Sequence, residues 1–257
     1  MTCRSRRFSI GAQLSLLVLL SAGCSSKLSD PPASGARTSK PARIVFLGDS
    51  ITEAGVKPGG YVRLVENSLH YLYPERRIEV IGTGVSGDRV PHLLARFRKD
   101  VLSKAPTHVV IYVGVNDVGR GPPPGGNTGL NAYRSGLADL VKGIEGAGAD
   151  AIVCTPGIIG ENPVSPTLEN RLLDQYAVAS REVAASAGAK VCDLRAAFTG
   201  YLERFNPQGK DQGILTLDGI HLNAEGNRFV ARQLLNTFTE EFEEADQAQS
   251  QTQPFRS

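Results

Sequence analysis

The sequence predicts an α/β fold, a three-layer α/β/α sandwich on a parallel sheet of five strands. Three observations carry that prediction. Along the body of the chain short apolar runs alternate with amphipathic segments of helical period, the pattern of repeated strand–helix units. The run His108 to Val113 is almost entirely apolar, as a strand covered on both faces must be. Polar, glycine-bearing turns follow each of the first three runs, where the ligand of such a sheet sits, beyond the carboxyl ends of its strands.

Ile44 to Leu47 reads as the first strand and ends at Gly48. Tyr61 to Leu72 places Val62, Val65, Leu69 and Leu72 at helical spacing and stops before Pro74, because the residue ahead of a proline is pushed out of the α region. Ile78 to Ile81 is the second strand. Val90 to Leu102 is a helix with Leu93, Leu94, Phe97 and Val101 on one side. After the third strand, Asn131 to Gly146 is helical and the glycines at 146 and 148 stop it. Ala151 to Cys154, Leu168 to Ala187, Val191 to Leu194 and Ala224 to Phe238 continue the alternation.

The 257 residues, 41% apolar and 21% charged, suit one large domain with a sizeable core. Residues 1–23 read as a leader: Arg4, Arg6 and Arg7 precede the apolar stretch Ile10 to Leu20, which is shorter than the roughly 20 residues a membrane span needs. The following Leu20-Ser21-Ala22-Gly23-Cys24 is similar to a bacterial lipoprotein signal, with Cys24 the lipidated residue and Ser21 the departure, since Leu is preferred there. Ordinary cleavage near Ala22 and Gly23 is the alternative. The expectation is thus an exported protein, anchored to a membrane through Cys24 and facing the periplasm or the cell exterior, or else secreted. Residues 24–41 read as a flexible tether rich in Ser, Pro and Ala, 42–240 as the domain, and 241–257 as a disordered tail.

Removing the leader leaves 25 basic against 26 acidic residues. No basic patch interleaved with aromatics remains, which argues against nucleic acid as a partner. Cys154 and Cys192 lie in apolar strand runs and are read as buried free thiols. No His/Cys cluster has zinc-ligand spacing, so neither a metal nor a cofactor is expected.

Four motifs carry chemistry. Ser50, in Gly48-Asp49-Ser50, is the candidate nucleophile; its hydroxyl needs a base within hydrogen-bond reach. His221 is the candidate base, and Asp218, three residues earlier, shares a face with it and can hold one ring nitrogen protonated. Gly87, in Ser86-Gly87-Asp88, and Asn116, in Gly114-Val115-Asn116-Asp117, are candidates for stabilising an oxyanion with the Ser50 N–H. Asp49, Asp88 and Asp117 are expected to hydrogen-bond loop backbone, His70, His92 and His108 to be structural, and Gly121 to Gly129 to rim a cleft. The ordered set points to serine-dependent hydrolysis of an ester.

These four blocks resemble those of the SGNH (GDSL) hydrolase superfamily, over roughly Arg43 to Phe238. The resemblance implies a flavodoxin-like fold, a triad of Ser50, Asp218 and His221, and an oxyanion hole from Ser50, Gly87 and Asn116. Gly82 stands where many members have Asn, and Arg89 where Thr is frequent. Thr155-Pro156 and the stretch from Asp218 to Asn223 look like the lysophospholipase L1-like and isoamyl-acetate-esterase-like branches. The expected function is carboxylic-ester hydrolysis through an acyl-enzyme on Ser50, with a small-molecule or glycan ester as substrate. The alternatives are O-deacetylation of polysaccharide or sialic acid, and an inactive glycan-binding surface lipoprotein.

Overall fold

The computed structural model describes residues 41–119 and 127–251. The leader, Cys24 and nearly all of the tether therefore lie outside the described residues, as does most of the Gly121 to Gly129 loop.

The chain forms five strands, β1 (Ala42–Gly48), β2 (Ile78–Gly84), β3 (His108–Tyr112), β4 (Asp150–Cys154) and β5 (Lys190–Cys192). They pair in the order β2-β1-β3-β4-β5, every neighbour parallel. Between them run α1 (Ser50–Gly55), α2 (Tyr61–Leu72), α3 (Val90–Asp100), α4 (Val115–Val118), α5 (Leu130–Gly146) and α6 (Leu168–Ala187), and after β5 come α7 (Leu194–Phe205) and α8 (Ala224–Gln251). This is the expected α/β sandwich.

Strand alternation divides the core. Phe46, His108, Val110 and Tyr112 share one face, where Phe46 and Tyr112 meet Tyr61 of α2 edge-on and His108 meets Phe238 and Phe242 of α8. Val45, Leu47, Val109 and Ile111 point the other way, toward the layer of α3, α5 and α6. All five residues of β3 are buried, as expected of the central strand.

Two differences from the sequence reading have clear causes. The fifth strand ends at Cys192, because Asp193 accepts from the Ala196 N–H and starts α7, a helix that was not expected. α8 runs on to Gln251, past the point where a tail was expected to begin. Phe242 anchors the extension: it is buried against Phe238, His108 and Tyr73, with the Arg76 guanidinium 4.2 Å from its ring centroid. Cys154 and Cys192 are buried free thiols, in register on β4 and β5. No helix among the described residues is long and apolar enough to cross a membrane.

Candidate active site

β1 delivers its last residue to the sheet edge, and the Asp49 side chain accepts from the Ile51 N–H at 2.9 Å, starting α1 at Ser50. Ser50 is half-buried at that turn. Its Oγ lies 2.9 Å from Nε2 of His221. The other ring nitrogen, Nδ1, lies 2.7 Å from Asp218 Oδ2. With Nδ1–H donating to the carboxylate, Nε2 keeps its lone pair toward Ser50. The structure thus brings Ser50, His221 and Asp218 into one continuous line.

The Asp218 carboxylate is also tied to its own turn, accepting at Oδ1 from the main-chain N–H groups of His221 (2.8 Å) and Ile220 (3.0 Å). Burial pushes its pKa up. The His221 ring and these two N–H donors outweigh that and hold it at about 2. The pair remains open to solvent, with side-chain exposures of 44% for His221 and 54% for Asp218.

Gly87 and Asn116 follow β2 and β3 to the same edge of the sheet. Gly87 has φ +80°, a left-handed conformation that glycine adopts freely, and a Cβ there would meet nothing within 4 Å. Its N–H, like that of Ser50, donates to no main-chain carbonyl among the described residues. Asn116 Nδ2 donates one hydrogen to the Asp88 carbonyl at 3.0 Å, which fixes the carboxamide and leaves its second hydrogen available. The set can orient a hydroxyl, accept its proton, and offer N–H donors to a developing oxyanion.

The flanking acids differ in role. Asp49, 1% exposed, is pushed by burial to a pKa of about 7, against the Ile51 N–H; the negative charge of Asp117 adds to the rise. Burial raises Asp117 to about 6, opposed first by the Val90 N–H that donates to its Oδ1 at 3.0 Å. Both bond backbone, as expected. The Asp88 side chain does not: it accepts from Arg96 Nε at 2.6 Å. Arg96 also reaches the Gly48 carbonyl at 2.9 Å and Asp100 at 3.0 Å, bracing the Gly87 loop against the end of β1. No sequence signal marks Arg96, since one of three basic residues on an amphipathic helix, with Arg98 and Lys99, reads as a solvated residue.

Among the other residues, His70 Nε2 lies 3.0 Å from the Ile78 carbonyl, and His92 joins Arg89 in capping α3. Asp193 takes a bidentate contact from Arg181 as well as Thr155 and Ala196. A second residue missed by sequence reading is Glu161, buried in the loop after β4.

Residues 46–229 match the sequence profile of the GDSL-like Lipase/Acylhydrolase family. The acetylxylan esterase of Geobacillus stearothermophilus is 31% identical over 208 residues, 75% of this chain and 92% of that protein. The mouse isoamyl acetate-hydrolyzing esterase 1 homolog is 26% identical over 208 residues, 73% of this chain and 78% of that protein. A crystal structure of another acetyl xylan esterase superposes with a TM-score of 0.72 at 35% identity, covering 76% of this chain and 98% of that one. Structures described as catalytic mutants of the Geobacillus enzyme carry alanine in place of a serine in one and an aspartate in another. With the fold, the aligned length and the four ordered blocks in agreement, the chain belongs to the GDSL-like lipase/acylhydrolase family of SGNH hydrolases and is a carboxylic-ester hydrolase.

Proposed function

We propose that hydrolysis proceeds through an acyl-enzyme on Ser50, with His221 as base and Asp218 as its orienting carboxylate. The observation that carries this reading is the unbroken contact from Ser50 Oγ through the His221 ring to Asp218 Oδ2. Ser50 Oγ bonds to the acyl carbon while its proton passes to His221 Nε2. The carbonyl oxygen becomes an oxyanion, met by the N–H groups of Ser50 and Gly87 and the free hydrogen of Asn116 Nδ2. Collapse breaks the bond to the alcohol, which leaves with the proton from Nε2. Water then gives a proton to the same nitrogen, attacks the acyl group, and releases the acid as Ser50 recovers its hydrogen.

We infer that the acyl group is short, acetyl on a carbohydrate hydroxyl. Two observations support this: the half-exposed Asp218–His221 pair leaves room for a large alcohol portion, and acetylxylan esterases recur among the relatives. The enzyme is proposed to work outside the cytoplasm, tethered through Cys24, a reading supported by the leader pattern before that cysteine.

Ser50→Ala is expected to lower kcat about 10³-fold or more and to abolish the acylation burst with p-nitrophenyl acetate. A full burst in that variant would sink the mechanism. Acetate release from acetylated xylo-oligosaccharide should exceed release of acid from lysophospholipid. The opposite ranking would overturn the substrate reading. Failure of the intact protein to label with a fluorophosphonate would likewise contradict an acyl-enzyme on Ser50.

A further inference from the structure

The turn that carries Asp218 and His221 has little regular structure to hold it. Residues 213–222 contain a single isolated bridge, Thr216 to Leu222, and besides the contacts to the Asp218 side chain they close on themselves through three more. Gly213 N–H donates to Thr216 O at 2.9 Å, Leu217 N–H to His221 O at 2.7 Å, and Gly219 N–H to Thr216 Oγ1 at 3.0 Å. Such a ring has a shape of its own, but nothing in it fixes where His221 stands relative to Ser50, 171 residues earlier.

An outside fixture comes from the loop after β4. Glu161 is 1% exposed. Its Oε1 accepts from Leu215 N–H (2.6 Å), Thr216 N–H (2.5 Å) and Thr216 Oγ1 (2.8 Å), and its Oε2 from Ile214 N–H (2.7 Å). Four donors converge on two oxygens, which suits a carboxylate and not an amide that carries two hydrogens of its own. The backbone around Glu161 extends the grip. Gly160 N–H donates to Gly219 O at 2.8 Å, Glu161 N–H to Asp211 O at 2.8 Å, and Asn206 Nδ2 to Glu161 O at 2.8 Å. Glu161 therefore holds residues 214–216, immediately ahead of Asp218, and its neighbour Gly160 holds the residue just after it.

We propose that Glu161 is a positioning residue for the reaction: its carboxylate fixes the Asp218–His221 turn so that Nε2 meets Ser50 Oγ. It touches neither substrate nor the reacting atoms and acts only through His221. The inference rests on the assignment of Ser50, His221 and Asp218 as the triad.

Glu161→Gln keeps the volume but turns an NH₂ group toward N–H donors. The expected result is a folded protein whose kcat falls about 10²-fold, since small misplacements of catalytic groups cost that much, with KM changing far less. The rate constant for fluorophosphonate labelling should fall in parallel, because labelling also requires His221 to take the Ser50 proton. In a His221→Ala background, adding Glu161→Gln should cost nothing further. Ser180→Ala, which removes a buried hydrogen bond to Tyr133, serves as the control: it should lower stability and leave the labelling rate unchanged. If Glu161→Gln does not fold, Thr216→Val, which deletes one of the four donors together with the acceptor of the Gly219 N–H, takes its place with an expected loss of about tenfold.

Wild-type turnover in folded Glu161→Gln, or in Thr216→Val where that arm is used, overturns this inference alone. So does a loss that adds in full to that of His221→Ala. Wild-type turnover in Ser50→Ala and His221→Ala would instead take down the triad assignment, and this inference with it.

Discussion

Asp49 and Asp218 are carboxylates near one histidine, and their surroundings drive them in opposite directions. Asp49 is buried next to Ser50, where it accepts from the Ile51 N–H, and burial lifts its pKa from 3.8 to about 7. Asp218, half-exposed, gains the His221 ring and two N–H groups and sits at about 2. Linkage then fixes the signs. The contribution of Asp49 to stability is full below pH 4, where both folded and unfolded chains carry the proton, and is lost as pH rises through 7. The rise corresponds to at most roughly 4 kcal/mol. Asp218 contributes above its ordinary value, and that contribution is lost as pH falls toward 2. Asp49→Asn, which retains an oxygen to cap α1, should therefore gain stability relative to wild type between pH 4.5 and pH 8. Urea midpoints at the two pH values measure this, and parallel profiles would contradict it. At this scale the sequence marks the candidate triad but not the residues packed around it. Ser50, Asp218 and His221 stand out because a hydroxyl, an imidazole and a carboxylate have few reasons to recur in that pattern. Glu161 depends on partners 53–55 residues away, and the reach of Arg96 to the Gly48 carbonyl spans 48; no local spacing encodes such pairings.

The first turn of α8 is pressed against the turn that carries His221, the proposed base. A Cβ on Gly226 would stand 1.9 Å from the Leu215 carbonyl oxygen. That carbonyl accepts the Asn223 N–H, while the Asn223 side chain caps α8 by accepting from Gly226 N–H at 2.9 Å. Gly226→Ala would gain about 1 kcal/mol of helix propensity, but it must drive helix and loop apart, at a cost of about 1–3 kcal/mol. The expected variant has a lower Tm and a reduced kcat. A raised Tm with unchanged kcat would show that the contact is soft. The long amphipathic elements were legible because their period is repeated over several turns. α7 was not, since its apolar residues follow β5 with only Asp193 between them. The end of α8 is not legible, because its Glu- and Gln-rich composition conceals the one aromatic, Phe242, that docks it.

At the scale of the molecule, the strand order β2-β1-β3-β4-β5 places β1 at the centre of the chemistry, with β2 on one side and β3 on the other. The crossovers diverge to either side of β1, and ligands bind at such a reversal in parallel sheets. Ser50, Gly87 and Asn116 follow the three strands that meet there, so the sheet itself aligns the proposed nucleophile with both oxyanion candidates. The alternation of strands and helices was enough to predict this sheet. It did not contain the strand order, which depends on how the crossovers pack.

The contact between Ser50 and His221 also has a history within each molecule. It joins residues 171 positions apart, and the turn bearing His221 is held by Glu161, itself laid down after β4. Long-range parallel pairings form slowly, because chain entropy must be lost before the contacts can compensate. A chain emerging in order holds Ser50, the proposed nucleophile, from early on, yet His221, its proposed base, is added only in the last fifth of the sequence. On the proposed triad the hydrolase is silent while it is being made, and the onset of turnover would mark the moment at which both ends of the domain have found each other.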